Sequence, residues 1–456
     1  MRKTIIAWLL PCMLLVVPQA QAATLDDLQL LKQQMRQMQE KIDKMEAEMQ
    51  ASKQREAEAA AKASQPVTPI VVQAPPVNQG DAGSGVTRSD ANAFNPQISM
   101  ILNGSYRGFS RDPALFAVPG FATGDAAGLG DRGLGINESE LNFAANVDNR
   151  FYASSTLSLA PQGGLTVEEA YAQTLDLPAG LTIKGGRFFS GIGYINEFHP
   201  HHDDFIDRSL ANRVFLNNTF AGDGLQARWL APTDMYVELG GELLRGDRFP
   251  GGGAALRGSG AWDAFLRLGG DVGFSNSWLA GVSWLGNKPT GRASFDNAGA
   301  QTGTFDGNSN LIIADMVWKW APDGNPVERN FKLQSELFFG SEQGAFTDAA
   351  GTPGLLTARQ RGGYAEAVYQ FTKGWDIGVR HSMVFAANSG SAVVPGGVLD
   401  AAGQHPWRSS VVLGYANSEF SRFRLQYSRD HSQRLVDHQL ALQYIILIGA
   451  HGAHQY

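Results

Sequence analysis

The sequence predicts an all-β membrane protein: a closed antiparallel transmembrane β-barrel of about sixteen strands, preceded by a short α-helical coiled coil. Three observations predict it. From residue 97 onward, apolar and polar residues alternate with a period of two in segment after segment. The connections between those segments alternate between short and long, and aromatic residues flank the short ones.

The elements follow in chain order. Residues 1–22 read as an export signal: Arg2 and Lys3, an apolar run from Thr4 to Val17, and a small-residue cleavage site at Ala20-Gln21-Ala22. The single cysteine, Cys12, lies in that apolar run and lacks the preceding small residue that lipidation needs. The mature chain therefore has no disulfide, no thiolate nucleophile and no cysteine-ligated zinc. Residues 23–56 place Leu28, Leu31, Met35, Met38, Ile42, Met45 and Met49 at alternating steps of three and four, an a/d seam that predicts a coiled coil and self-association. Residues 57–96, with Pro66, Pro69, Pro75 and Pro76, read as an extended linker. No glycine precedes Gly80, whereas the whole chain holds 53, so the two parts differ in kind.

Residues 97–456 form the expected barrel, with strands near 97–109, 134–147, 150–160, 166–176, 180–189, 223–231, 234–245, 261–273, 276–286, 310–320, 330–340, 362–372, 374–385, 406–416, 419–429 and 437–448. Leu239 and Leu243 oppose Glu238 and Glu242; Leu266 and Leu268 oppose Asp263 and Arg267; Phe423, Leu425 and Tyr427 oppose Arg422, Arg424 and Gln426. Alternation alone fits a soluble sandwich as well as a membrane barrel. Strand length, the even count and the aromatic pairs Trp229 and Tyr236, Phe371 and Trp375, and Tyr415 and Phe420 around short turns favour the barrel. Long loops are expected near 110–133, 190–222, 246–260, 287–309, 341–361 and 386–405. The last strand alternates Leu440, Leu442, Tyr444, Ile446 and Ile448, and the chain ends in Tyr456. That ending looks like the C-terminal signal read by outer-membrane assembly machinery.

The loop 190–222 carries the densest chemistry. His199, His201, His202, Asp203 and Asp204 are candidate zinc ligands, with Glu197 and Asp207 alongside, because neutral imidazole and carboxylate both suit that ion. The competing reading is an acidic turn whose histidines face water. A loop this long also has the reach to fold inward and narrow a pore. The wall charges are mixed: Glu138, Glu140, Glu238, Glu242, Asp315, Glu336 and Glu366 against Arg228, Arg267, Lys319, Lys332, Arg380, Arg422 and Arg424. Asp430-His431-Ser432 and His381-Ser382 are adjacent in sequence, which seldom supplies a catalytic triad, so no enzyme is expected. A net charge of -7 argues against a nucleic-acid partner.

This layout of signal, coiled coil, proline-rich linker and barrel resembles general and phosphate-selective porins. The run Gly186-Arg187-Phe188-Phe189-Ser190-Gly191-Ile192-Gly193 and the run Asn196-Glu197-Phe198-His199-Pro200-His201 are similar to a group of proteobacterial outer-membrane proteins tied to zinc regulation, some labelled TonB-dependent receptors. The latter carry a plug inside a 22-stranded barrel, and residues 23–93 hold no aromatic and no globular pattern to build one. The resemblance implies a Gram-negative outer-membrane channel for small polar solutes or ions, with the N-terminal segment in the periplasm. It also implies a homo-oligomer, a trimer by analogy with sixteen-stranded porins. A zinc-linked receptor is the alternative, and a structural envelope tether, with a periplasmic partner on the coiled coil, is a third.

Overall fold

The computed structural model describes residues 97–137, 139–159, 163–252 and 259–449. The segments 1–22, 23–56 and 57–96, together with Glu138 and Tyr456, lie outside the described residues. The chain runs β1 (Gln97–Phe109), β2 (Gly133–Ile136), β3 (Ser139–Asn146), β4 (Phe151–Leu159), β5 (Leu165–Thr174), β6 (Leu181–Phe189) and one short helix, α1 (Leu210–Leu216). It continues through β7 (Ala221–Leu230), β8 (Tyr236–Leu244), β9 (Ala261–Val272), β10 (Asn276–Asn287), β11 (Arg292–Phe295) and β12 (Gln301–Trp320). The last six strands are β13 (Asn330–Asp348), β14 (Pro353–Thr372), β15 (Trp375–Ser389), β16 (Trp407–Ser418), β17 (Ser421–His431) and β18 (Asp437–Gly449).

The wall is antiparallel throughout and closes where β1 meets β18, from Ser99 opposite Gly449 to Phe109 opposite Gln439. β2 and β3 pair with opposite ends of β1 and act as one interrupted strand. β11 adds only a short rung to β12. Sixteen strands therefore complete the barrel. Closure leaves no open edge, which a bilayer demands because lipid offers no hydrogen bonds.

The two faces are inverted relative to a soluble protein. Leu225, Leu239, Leu243, Ile312, Met316, Leu337, Val379, Leu413, Leu425 and Leu442 are exposed on the outside. Gln226, Glu242, Asp263, Asp315, Gln334, Glu336, Arg380, Arg424 and Gln443 are buried on the inside. An apolar exterior of this extent is stable in lipid and not in water. Trp375 stands opposite Tyr415 with ring centroids 4.6 Å apart, and Phe423 opposite Tyr444 at 4.0 Å, a girdle beside the short turns.

Two expected loops prove to be strand. Residues 301–309 belong to β12, and β13 and β14 continue through most of 341–361 to meet at a tight turn. There the Asp348 carboxylate accepts from the Ala350 and Thr352 backbone N–H groups at 3.0 and 2.8 Å. Alternation weakens in these stretches because a strand that rises beyond the lipid has no apolar exterior to mark it.

Candidate functional site

The segment 190–220 folds into the barrel and docks on the inner wall. It leaves β6 with its backbone N–H groups aimed at wall acceptors. Gly191 donates to Glu242 at 2.7 Å, Gly193 to Ser283 at 3.0 Å, and Tyr194 to Glu336 at 2.7 Å. Further along, Ile206 donates to Gln426 at 2.9 Å and Leu210 to Ser382 at 3.2 Å. The docking partners thus come from β8, β10, β13, β17 and β15, most of the way around the lumen. The expectation that this loop turns inward is met, and the competing reading of a water-facing turn is overturned. His201 is buried, and the His199 side chain is only 16% exposed.

Ion pairs reinforce the docking. Glu197 lies between Arg228 and Arg267, with 2.7 Å from Arg267 Nη1 to Oε2. Arg267 also donates to the Gly191 and Gly193 carbonyls at 2.7 and 3.0 Å. Burial disfavours the Glu197 carboxylate, but the two guanidinium groups outweigh it and hold its pKa at about 2. Asp207 gathers Arg380 at 2.6 Å, Arg408 at 2.6 Å and Arg213 at 3.1 Å. Burial again works against the charge, while Arg408, Arg380 and Arg213 keep its pKa well below the ordinary carboxylate range.

The middle of the segment is anchored by packing. Ser209 caps α1 by accepting from the Asn212 N–H at 3.2 Å, and Asn217 closes it in the left-handed conformation. Leu210, Ala211, Val214, Phe215 and Leu216 are all buried. Phe215 stacks on Phe338 at 5.4 Å and meets Phe121 edge-on at 5.8 Å. Gly340 and Gly362 make room for that ring: a Cβ would approach it to 3.0 and 3.1 Å.

The histidine cluster is assembled from three places. His199 Nδ1 lies 3.1 Å from Glu140 Oε2 on β3 and 3.3 Å from Glu168 Oε2 on β5. His199 Nε2 lies 2.9 Å from Glu169 Oε2, and His201 Nδ1 lies 2.9 Å from Glu140 Oε1. Glu140, His199 and His201 each offer a ligand atom, all within 4.8 Å of one another. His202 packs on His201 with ring centroids 4.1 Å apart. Asp203 and Asp204 turn to cations instead, Asp203 to Arg208 Nε at 2.5 Å and Asp204 to Lys332. Burial opposes protonation of His199, yet Glu140 and Glu168 raise its pKa well above the ordinary histidine value.

Sequence reasoning missed Glu168 and Glu169. Strict alternation would point one of two adjacent residues at lipid. The register between β4 and β5 slips here, pairing Thr156 with Glu169 but Leu157 with Val167. Glu168 is the extra residue of that bulge, and both carboxylates reach His199. Phe265 was also unforeseen in the lumen, where Arg228 and Arg267 lie 5.2 and 5.1 Å from its ring centre.

No family model matches the chain. A protein of Aquifex aeolicus (strain VF5), described only as uncharacterized, is 29% identical over 395 residues, covering 80% of each chain. Among solved structures, Pseudomonas putida OprB superposes with a TM-score of 0.50 at 12% identity, over 78% of this chain and 94% of OprB. A loop-deleted OmpT of Vibrio cholerae gives 0.48 at 11% identity, over 81% and 100%. The likeness to OprB is one of fold, that of a porin-type outer-membrane barrel.

Proposed function

We propose that the protein is a passive outer-membrane channel for small polar solutes or ions, with no catalytic step. The observation that carries this reading is the docked segment 190–220: a polar, charge-lined lumen is narrowed from within while the exterior stays apolar. Carboxylates such as Glu238, Glu242, Asp263, Asp315 and Glu336 line one arc of the wall. Arg380, Arg408, Arg422 and Arg424 stand on another, and most of these groups are buried against the docked segment that they hold in place. Residues 1–22 serve as the export signal, 23–56 as a periplasmic coiled coil, 57–96 as its linker and 97–456 as the barrel. The assembled form is a trimer set in outer-membrane lipid.

Planar-bilayer recording on the refolded full chain tests the reading. Stable unitary current steps are expected. A folded barrel that gives none leaves the envelope tether as the better account. Comparing native mass with and without residues 23–80 tests the assembly. A monomer in both forms contradicts it, and a trimer in both assigns the contacts to the barrel wall.

A further inference from the structure

We propose that Glu140, Glu168, His199 and His201 form a site for one divalent transition-metal ion of the zinc class, and that the bound ion fastens the lumen segment to the barrel wall. The donors come from β3, from the bulge in β5 and from the segment 190–220. An ion held by all of them ties that segment to two wall strands at once.

The spacing suits a metal. Tetrahedral zinc with bonds of about 2.0–2.1 Å sets its donors about 3.3 Å apart. His199 Nδ1 lies 3.1 Å from Glu140 Oε2 and 3.3 Å from Glu168 Oε2. The ring is oriented from behind: Nε2 lies 2.9 Å from Glu169, whose other oxygen accepts from the Phe189 N–H at 3.0 Å. A carboxylate holding one ring N–H leaves the opposite nitrogen as a ligand, the usual support of a metal-binding histidine. That nitrogen then faces two carboxylates, and a single proton there satisfies only one of them. Glu168 Oε2 and His199 Nδ1 are both buried and face each other at 3.3 Å without well-aligned hydrogen-bond geometry. A cation between them meets both needs. The two imidazoles select zinc, cobalt or nickel over calcium and magnesium, which prefer all-oxygen sites. Asp203 and Asp204 play no part, since Arg208 and Lys332 already hold them.

The fastening role rests on the channel reading, whereas the site does not. Isothermal titration of the refolded full chain with zinc chloride, cobalt chloride and calcium chloride measures binding directly. One zinc per chain is expected, with no calcium binding under the same conditions. Glu168→Gln, which keeps size and removes charge, should weaken zinc binding at least about tenfold. His199→Ala with His201→Ala should abolish it, heat-modifiable electrophoretic mobility confirming that the variant barrel is folded. Wild-type protein that binds no zinc, or variants with unchanged isotherms, overturns the site. Bilayer recordings with and without zinc then separate the two readings. Zinc should quiet current fluctuations in the wild type and leave the double variant unaffected. Zinc binding without any conducting pore sinks the channel and keeps the site; steady conduction without zinc binding does the reverse.

Discussion

The segment 190–220 and the hairpin tip at 341–361 both read as long loops, yet they follow different physics. The tip pairs with itself: β13 and β14 keep register from Asn330 opposite Gln370 to Thr347 opposite Pro353. Its apolar side chains Phe346, Leu356 and Ala358 cluster with Phe305 and Leu399. The segment 190–220 lacks a strand partner; several of its backbone donors are satisfied by wall side chains and others by turns within the segment. A hairpin extends where the chain supplies its own ladder. An excursion folds inward where the lumen supplies acceptors and counter-ions.

The largest expected effect breaks the inward dock. Asp207→Asn leaves Arg213, Arg380 and Arg408 without their shared carboxylate in a site where they are nearly buried. Removing one partner of a buried ion pair costs about 3–5 kcal/mol. The segment should leave the wall, raising single-channel conductance and lowering the denaturation midpoint. Unchanged conductance would show that the segment does not limit the pore.

Phe215→Ala comes next. It empties the contact with Phe338 and Phe121 and should cost about 3 kcal/mol. Protease cleavage within 190–220 should speed up while the barrel stays folded. Phe346→Ala removes a ring of similar burial from the hairpin cluster. Its cost is local, so cleavage near 341–361 should rise with conductance unaltered. If both variants change conductance equally, the distinction between the two regions fails.

Sequence made the wall legible because lipid imposes a strict rule on every second residue. All sixteen expected strands are present, several within a residue or two of the expected bounds, as at Gln97–Phe109 and Asp437–Gly449. Where lipid stops, so does legibility: residues 301–309 and 341–361 lost their signal on leaving the bilayer. Within the site, the histidines stood out by density, and their partners did not. Glu140 showed only as a wall charge. Glu168 and Glu169 depended on a bulge that no local pattern marks. Asp203 and Asp204 looked like ligands because sequence proximity hides which cation each side chain meets.

The smallest expected effect is that of mild acid on the ion pairs that dock the segment. Glu197 is held near a pKa of about 2 rather than its ordinary 4.5, and Asp207 also lies well below its ordinary value. A carboxylate whose folded pKa is depressed contributes stability above its unfolded pKa. It loses that contribution only as pH falls through the folded value. From neutral pH down to about pH 5, both groups stay ionised in the folded and unfolded states, so these pairs keep their full strength. The loss begins below the ordinary carboxylate range and grows toward pH 2. Conductance recorded on the His199→Ala, His201→Ala variant with Asp203→Asn added separates these pairs from those two histidines and from Asp203, whose pKa burial pushes up to about 6. Its steep rise should come only in strong acid. A rise already complete at about pH 5 would mean that Glu197 and Asp207 do not hold the segment.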